Sequence, residues 1–145
     1  MHCFEETRLL NCGSHDIFLV VMDIERYPEF LPWVSEAVVL TAGDDQLSAE
    51  LVADFSGMKY TFRTVDRFVV DRMVEIRLLD GPFRFLESFW TFETVENNRC
   101  RVHFSIEFEF KNIMVSLIAT PIFTAACKSM VQAFEQRVYQ CKKKI

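Results

Sequence analysis

The hydrophobic pattern of this 145-residue sequence changes its period near Asn112. Before that residue, Arg101–Phe110 alternates strictly between apolar and polar side chains, which is typical of a strand with one buried face. After it, about thirty residues as far as Lys143 follow a helical period, and Asn112 is itself a favourable N-cap residue. We expect Pro121 to kink this helix or to set its first half apart. The pattern therefore predicts a strand followed by one long helix.

Further strands are predicted upstream, where short alternating segments are separated by turn residues. Within Gln46–Phe55, every second residue from Leu47 to Phe55 is apolar, which places one face of that strand in the core. We expect Cys3–Asn11 to form an edge strand. The other predicted strands are Ser35–Thr41, Lys59–Val70, Met73–Leu79 and Arg84–Val95.

Two short helical segments are predicted between the first strand and the others. Ser14–Asp23 is interpreted as a short buried helix, with Ser14 as its N-cap and Asp16 in the first turn. Pro28 and Pro32 leave room for a single helical turn between them. Phe30, Leu31 and Trp33 are too apolar for an idle surface loop, so we expect residues 27–33 to form a lid.

These elements predict one α+β domain over residues 1–145. A curved antiparallel sheet of six to seven strands would have one apolar face, and the C-terminal helix is the one predicted element long enough to cover it. The sheet should therefore curl around that helix. With the short helices at one end, this arrangement leaves room for a cavity between sheet and helix.

Composition and charge exclude several classes of protein. The 21 acidic and 16 basic residues give a net charge of −5, which argues against a general nucleic-acid binder, and no DNA partner is expected. No apolar run reaches the length of a membrane-spanning helix. The N-terminal residues lack the pattern of a signal peptide, and the five cysteines lack the spacing of a disulfide framework. We therefore expect free thiols and a cytoplasmic protein.

No catalytic or metal site is predicted. The sequence lacks dinucleotide-binding, P-loop and nucleophile-elbow motifs, and its three histidines are too far apart in the sequence to suggest a zinc site. Residues 14–16 (Ser-His-Asp) are immediate neighbours and cannot hydrogen-bond in series as a catalytic triad does. Glu107 and Glu109 could form a paired-carboxylate site, but they share the outer sheet face with His103, where solvated side chains are expected.

The 20 aromatic residues, of which 15 are Phe, fit either a packed core or a hydrophobic ligand pocket. Composition leaves both interpretations open. If a ligand is bound, the predicted lining comes from the lid, the inner sheet face and the helix face opposite its polar stripe. The predicted lining residues are Phe30, Trp33, Leu51, Phe55, Tyr60, Phe62, Trp90, Phe92, Phe104, Ile106, Phe108, Ala119, Ile122, Ala126 and Met130.

The first half of the long helix is uncharged over 16 residues, from Asn112 to Cys127. The polar stripe of its second half, extended backwards at 100° per residue, falls on Met114, Leu117 and Pro121. A helix that is apolar on all sides is buried, or it touches a membrane or a partner. Either a change of phase at Pro121 or cover from the short helices would bury this stripe. Otherwise, Met114 and Leu117 are predicted to contact a membrane.

Three stretches together resemble a known family. They are Tyr27–Trp33 (Tyr-Pro-Glu-Phe-Leu-Pro-Trp), Gly81-Pro82-Phe83 with the following Leu86, Trp90 and Phe92, and Val102–Phe110. The pair Tyr60-Thr61, which follows Gly57, is a fourth and weaker point of similarity. The pattern is similar to the START-like coenzyme Q-binding proteins, also described as polyketide cyclase/dehydrase-like or aromatic-rich proteins, a group that includes ribosome-association toxins. Val34 departs from the family, which often has Cys after the Trp.

The resemblance implies a helix-grip fold of the START/Bet v 1-like type, which agrees with the prediction from the residues. It also implies that ubiquinone, or a similar polyprenylated lipid, binds in the sheet–helix cavity and is delivered to respiration or to quinone biosynthesis, and it does not establish catalysis. Since a quinone carrier collects its ligand from a bilayer, we expect peripheral contact with the inner membrane. No other cofactor is implied. Two alternatives stay open, namely binding to the large ribosomal subunit and cyclase or dehydratase activity on an aromatic polyketide-like substrate.

Overall fold

Seven strands form one antiparallel sheet in the computed structural model, which describes residues 1–143. Their spatial order is β1-β7-β6-β5-β4-β3-β2, so β1 and β2 are the edges. The sheet is curved around the C-terminal helices, which confirms the predicted helix-grip fold. The strands are β1 (His2–Leu10), β2 (Val34–Ala42), β3 (Gln46–Phe55), β4 (Met58–Val69), β5 (Met73–Asp80), β6 (Phe83–Val95) and β7 (Arg99–Phe110).

The helices lie at two places in the chain. Helix α1 (Ser14–Met22) and a 3₁₀ helix (Ile24–Glu29) connect β1 to β2, while α2 (Ile113–Lys128) and α3 (Met130–Lys143) follow β7. Asn112 caps α2 as predicted, because its side-chain oxygen accepts hydrogen bonds from the backbone N–H groups of Met114 and Val115.

Alternation along the strands accounts for the core. In β7, every second residue from Val102 to Phe110 is buried, and β3 buries every second residue from Leu47 to Phe55. Both patterns agree with the prediction from the sequence. The intervening side chains of β7 lie on the outer face, where His103 bonds to Thr7 and Glu109 lies near Arg84. One face of the sheet is therefore apolar and must be covered.

Two local predictions near the N-terminus are wrong in detail. Gly13, not Ser14, is the N-cap of α1, and its backbone N–H donates to the Asp16 carboxylate at 2.9 Å. The buried Ser14 hydroxyl instead bonds to the hydroxyl of Thr94 and to the Cys100 sulfur, so it is not available as a cap.

The predicted helical turn between the two prolines lies earlier in the chain. The 3₁₀ helix includes Pro28 and ends before Phe30. Phe30 and Leu31 both donate their backbone N–H groups to the Tyr27 carbonyl, which ends the helix ahead of Pro32. Pro28 is accommodated because the hydrogen bonds that end this turn are donated by the residues after it.

The C-terminal helix breaks at Ser129 instead of Pro121. Helices α2 and α3 meet there at an angle of 51°. The Ser129 backbone N–H and hydroxyl both bond to the carbonyls of Ala125 and Ala126, so this residue ends α2. Pro121 lies on the exposed face of a continuous α2, where water can satisfy the carbonyl group that a proline leaves unpaired.

Phe123 of α2 is the aromatic centre of the contact between helix and sheet. Its side chain is buried, and five other aromatic rings have centroids within 4.8–6.3 Å of its own. Edge-on contacts predominate, which is a favourable geometry for aromatic pairs. The five neighbours are Trp33, Phe55, Phe83, Phe108 and Phe110.

The turn between β5 and β6 depends on Gly81. Its φ is +146°, and a Cβ at this position would lie 2.4 Å from the Cβ of the buried Phe62. Gly57 also has positive φ, at +89°, but open space surrounds its missing Cβ. A side chain at Gly57 would therefore add backbone strain alone, whereas one at Gly81 would add both backbone strain and steric overlap with Phe62.

We expect Gly81→Ala to lower the free energy of unfolding by about 3–5 kcal/mol, since it combines an unfavourable φ with overpacking. Gly57→Ala should cost only the backbone strain, roughly 1–2 kcal/mol. Urea unfolding of both variants measures the difference. Equal losses would show that Phe62 moves aside without cost.

Candidate functional site

A cavity of about 80 Å³ lies between the inner face of the sheet and the helices. The 3₁₀ helix and the residues after it close one side, and strands β3 to β7 form another. Its lining is almost entirely apolar. The lining residues are Ile24, Tyr27, Leu31, Trp33, Leu51, Phe62, Thr64, Asp66, Ile76, Leu86, Ser88, Trp90, Phe104, Ile106, Phe123, Met130 and Phe134.

Part of the predicted ligand site lies at this cavity. Of the residues predicted from the sequence, Trp33, Leu51, Phe62, Trp90, Phe104, Ile106 and Met130 line it. The predicted lid segment 27–33 also contributes Tyr27 and Leu31. Whether these side chains contact a ligand stays a prediction.

The other predicted site residues lie outside the lining. Phe55 and Phe108 pack around Phe123, and Phe92 packs between Phe18 and Trp90, so these rings fill the core. The half-buried rings of Phe30 and Tyr60 pack against neighbouring aromatic rings. Ala119 is buried, while Ile122 and Ala126 are half-buried against the core.

Helices α2 and α3 meet the cavity through three large side chains, of which Met130 is a predicted site residue, while the predicted Ala119, Ile122 and Ala126 lie outside the lining. Phe123, Met130 and Phe134 provide this part of the lining.

Asp66 is the functional candidate that the sequence prediction missed. It lies on β4, 4% of its surface is exposed, and it faces the cavity. The Thr64 hydroxyl donates to its Oδ1 at 2.8 Å. Burial raises the pKa of the Asp66 carboxyl from 3.8 to about 6, and the Thr64 hydrogen bond offsets only part of this effect. Alternation along β4 from Phe62 was the available signal, because it places residues 62, 64 and 66 on the inner face.

The lining polar groups other than Asp66 are neutral. The Tyr27 hydroxyl donates to the Val21 carbonyl, and burial raises the Tyr27 pKa well above its usual value of 10.0. Ser88 is buried on β6, opposite Ile76 of β5, which is itself opposite Asp66. Asp66 and Ser88 are thus two strands apart in one row across the sheet.

Other reactive side chains in the described part of the chain lie away from this cavity. Ser14, His15 and Asp16 bond to three different partners, so they form no triad; His15 pairs with Asp71 at 2.7 Å. The five cysteines are free, and burial raises the pKa of the Cys127 thiol to about 12. Within residues 1–143, no cluster of His, Cys, Asp and Glu is placed to hold a metal ion.

The start of α2 exposes an apolar surface, which we call the α2 apolar patch: Ile113, Met114, Leu117 and Ile118. Met114 and Leu117 are each 68% exposed, so neither a phase change nor the short helices cover this stripe. Within the described residues, no single helix is both long and apolar enough to span a membrane; α2 and α3 satisfy that length and composition only as a bent pair.

Asp66→Asn should raise the free energy of unfolding by about 3 kcal/mol at pH 7.5 and change it little near pH 4. The folded-state pKa of about 6 exceeds the ordinary value of 3.8, so folding favours the protonated carboxyl. The stability that the wild type retains by keeping this carboxyl protonated is complete below pH 4, and it is lost as the pH rises through 6. The measurement is urea unfolding at several pH values, with the exposed Glu107→Gln as control. A pH-independent difference between wild type and Asp66→Asn would contradict the raised pKa.

Comparison with known proteins supports a family assignment. The ribosome association toxin RatA of Pseudomonas aeruginosa is 32% identical over 136 residues, covering 94% of each chain. The mitochondrial coenzyme Q-binding protein COQ10 of Drosophila melanogaster is 27% identical over 93% of this chain and 57% of its own length. Neither is named as an enzyme.

A solved structure and a family model agree with the architecture. The Zhui aromatase/cyclase from Streptomyces sp. R1128 superimposes with a TM-score of 0.83 over 96% of this chain and 94% of its own, at 14% identity, which shows the fold alone. The family model for polyketide cyclase/dehydrase and lipid transport matches residues 14–135. The chain therefore belongs to this START-like family, as its three motifs indicate.

Proposed function

We propose that this protein binds a polyprenylated quinone, such as ubiquinone, in the cavity between sheet and helices, and delivers it to respiration or to quinone biosynthesis without catalysing a reaction. The observation that carries the proposal is the aromatic-lined cavity with a polar group in its wall. Such a combination is typical of sites that bind a mostly apolar ligand in one orientation. The similarity to COQ10 supports the same ligand class.

The cavity is smaller than the proposed ligand. Its volume of about 80 Å³ is well below the roughly 300–1,000 Å³ of pockets that hold drug-sized molecules. Binding must therefore enlarge it, and the segment that covers it is the element to move. We expect displacement of residues 24–33 when the ligand enters.

Contacts at the rim hold this covering segment closed. Arg137 of α3 binds the Glu29 carboxylate at 2.6 Å and lies over the Phe30 ring at 5.3 Å. The Phe30 ring packs edge-on against Phe134 at 5.0 Å. Glu29 is exposed and Phe30 is half-buried, so these contacts can open at low cost compared with the buried core.

Burial of the isoprenoid tail provides the affinity. Each five-carbon unit contributes about 4 kcal/mol, at roughly 0.8 kcal/mol per carbon group. Association costs roughly 4–15 kcal/mol, so two or three buried units are enough for useful binding.

The α2 apolar patch is the proposed membrane contact. A quinone carrier collects its ligand from a bilayer, and this patch is an exposed apolar surface on an uncharged helix start. Lys111, which precedes it, is exposed and suited to anionic lipid headgroups. We therefore place the protein on the cytoplasmic side of the inner membrane, in peripheral contact.

Ribosome binding is the second candidate, favoured by the 32% identity to RatA. The large ribosomal subunit presents RNA, which attracts basic surfaces. The net charge of this chain is −5, and several arginines of the outer sheet face are paired with acids: Arg63 with Glu50, Arg77 with Glu75, and Arg101 with Glu93. Because these arginines are already paired with acids, the outer sheet face is poorly suited to bind RNA. Quinone binding is therefore the primary proposal.

Ser88→Leu should abolish quinone binding, because the larger side chain projects from the cavity wall into the space the ligand needs. Ser105→Leu is the matched control, since Ser105 lies on the outer face of the neighbouring strand and directly opposite Phe89. The measurement is quenching of Trp33 and Trp90 fluorescence by short-tail ubiquinone, with native mass spectrometry of the purified protein.

Wild-type protein and Ser105→Leu should bind quinone, and Ser88→Leu should not, although it unfolds cooperatively in urea. Equal binding by both variants would place the ligand elsewhere. Wild-type protein that binds no quinone but co-sediments with the large ribosomal subunit would establish the second candidate instead.

Leu117→Glu should weaken liposome binding at least tenfold while changing stability by less than about 0.5 kcal/mol, because the side chain is exposed. Leu9→Glu is the control: Leu9 is also exposed, but it lies opposite Arg101, at the end of β7 away from α2. Co-sedimentation with vesicles of anionic lipid measures binding. Equal binding by both variants would rule out the α2 apolar patch as the contact.

A further inference from the structure

The Asp66 carboxyl group has one oxygen committed to the protein and one available to the cavity. Oδ1 accepts the hydrogen bond from Thr64 at 2.8 Å. Within residues 1–143, no protein group donates to Oδ2, which keeps some accessible surface, and no lysine or arginine lines the cavity. A buried carboxyl that served only the fold would normally be paired with a cation or with backbone N–H groups.

We propose that the protonated Asp66 donates a hydrogen bond from Oδ2 to a ring carbonyl oxygen of the bound ligand, and so orients a quinone head group in the cavity. The inference rests on the proposed quinone-binding function and specifies its polar contact. Because Oδ1 already accepts from Thr64, the acidic proton is left on Oδ2, on the cavity side. Thr64 is thereby a positioning residue.

The position of Asp66 across the sheet suits this role. Tyr27 and Trp33 from the covering segment line the same cavity as Asp66, so a flat ring in this space can stack on aromatic faces and reach Oδ2. Ser88, two strands away in the same row, is a further polar group in the sheet part of the wall, besides Thr64. The rest of the cavity lining is mostly apolar, which suits contact with the isoprenoid tail of the quinone.

The same geometry discriminates between ligand classes. A quinone carbonyl accepts a hydrogen bond and carries no charge, so it matches Asp66 below pH 6, where that acid is neutral. A fatty acid brings a second carboxyl into a site without a cation and is repelled at neutral pH. A hydrocarbon lipid without a carbonyl leaves Oδ2 without a partner inside the apolar cavity. Asp66 thus selects a neutral carbonyl-bearing ring.

Binding should then depend on the protonation of Asp66. The groups that face it are Tyr27 from the covering segment, Thr64 beside it on β4, Ile76 on β5 and Ser88 on β6, with apolar Met130 and Phe134 on α3. Of these, Tyr27 titrates far above neutral pH. The pKa of Asp66 is about 6, so the quinone affinity should fall as the pH rises above that value.

The test is a titration of ligand-free protein with ubiquinone bearing two isoprene units, at pH 5 to pH 8. The dissociation constant of the wild type should increase on the order of 50- to 100-fold across this range, since only the protonated acid donates. Asp66→Asn should bind with little pH dependence, because its amide N–H donates at every pH. Asp66→Leu should bind weakly throughout, and Glu107→Gln should follow the wild type.

Urea unfolding of each variant confirms that it is folded under the conditions of the titration. Wild-type affinity that is independent of pH, together with undiminished binding by Asp66→Leu, would overturn the proposed contact while leaving quinone binding in place. Absence of quinone binding by the wild type even at pH 5 would instead contradict the proposed function itself.

Discussion

The structure depends on covering one curved, aromatic sheet face with the helices that follow β7. Phe123 occupies the centre of that contact, with five aromatic rings around it. The break at Ser129 turns α3 towards β1 and the 3₁₀ helix, where Arg137 reaches Glu29. The space that remains beneath the bend is the cavity.

At neutral pH, the buried Asp66 carboxyl in that cavity lowers the stability of the folded protein. Asp66 has one hydrogen bond from Thr64, and desolvation raises its pKa to about 6. An apolar residue of similar size would stabilise the protein more, so the carboxyl is best explained by a ligand that uses it. In the proposed function, the apolar lining would give affinity, Asp66 would orient the head group, and opening of the Arg137 contacts would admit the ligand.

Much of the fold could be predicted from the sequence because alternation and turn residues are local signals. The predicted strand Gln46–Phe55 has the observed bounds, and the predicted cap Asn112 is confirmed. The break at Ser129 could not be foreseen, since it has neither Pro nor Gly and depends on tertiary packing. Pro121 attracted attention as a breaker, yet an exposed helix face tolerates it. Ala126 lies outside the cavity lining, whereas Met130 of the same predicted set lines it. Asp66 was not predicted, because the expected lining consisted of apolar and aromatic residues.

The most direct test of the account is an NMR titration of the Asp66 carboxyl carbon, in the free protein and in the presence of saturating short-tail ubiquinone. We predict a midpoint near pH 6 in the free protein and a higher midpoint with quinone bound, because a ligand that accepts the acidic proton stabilises the neutral form. A midpoint close to the ordinary value of 3.8, unchanged by quinone, would contradict the central claim that this buried carboxyl is the head-group site.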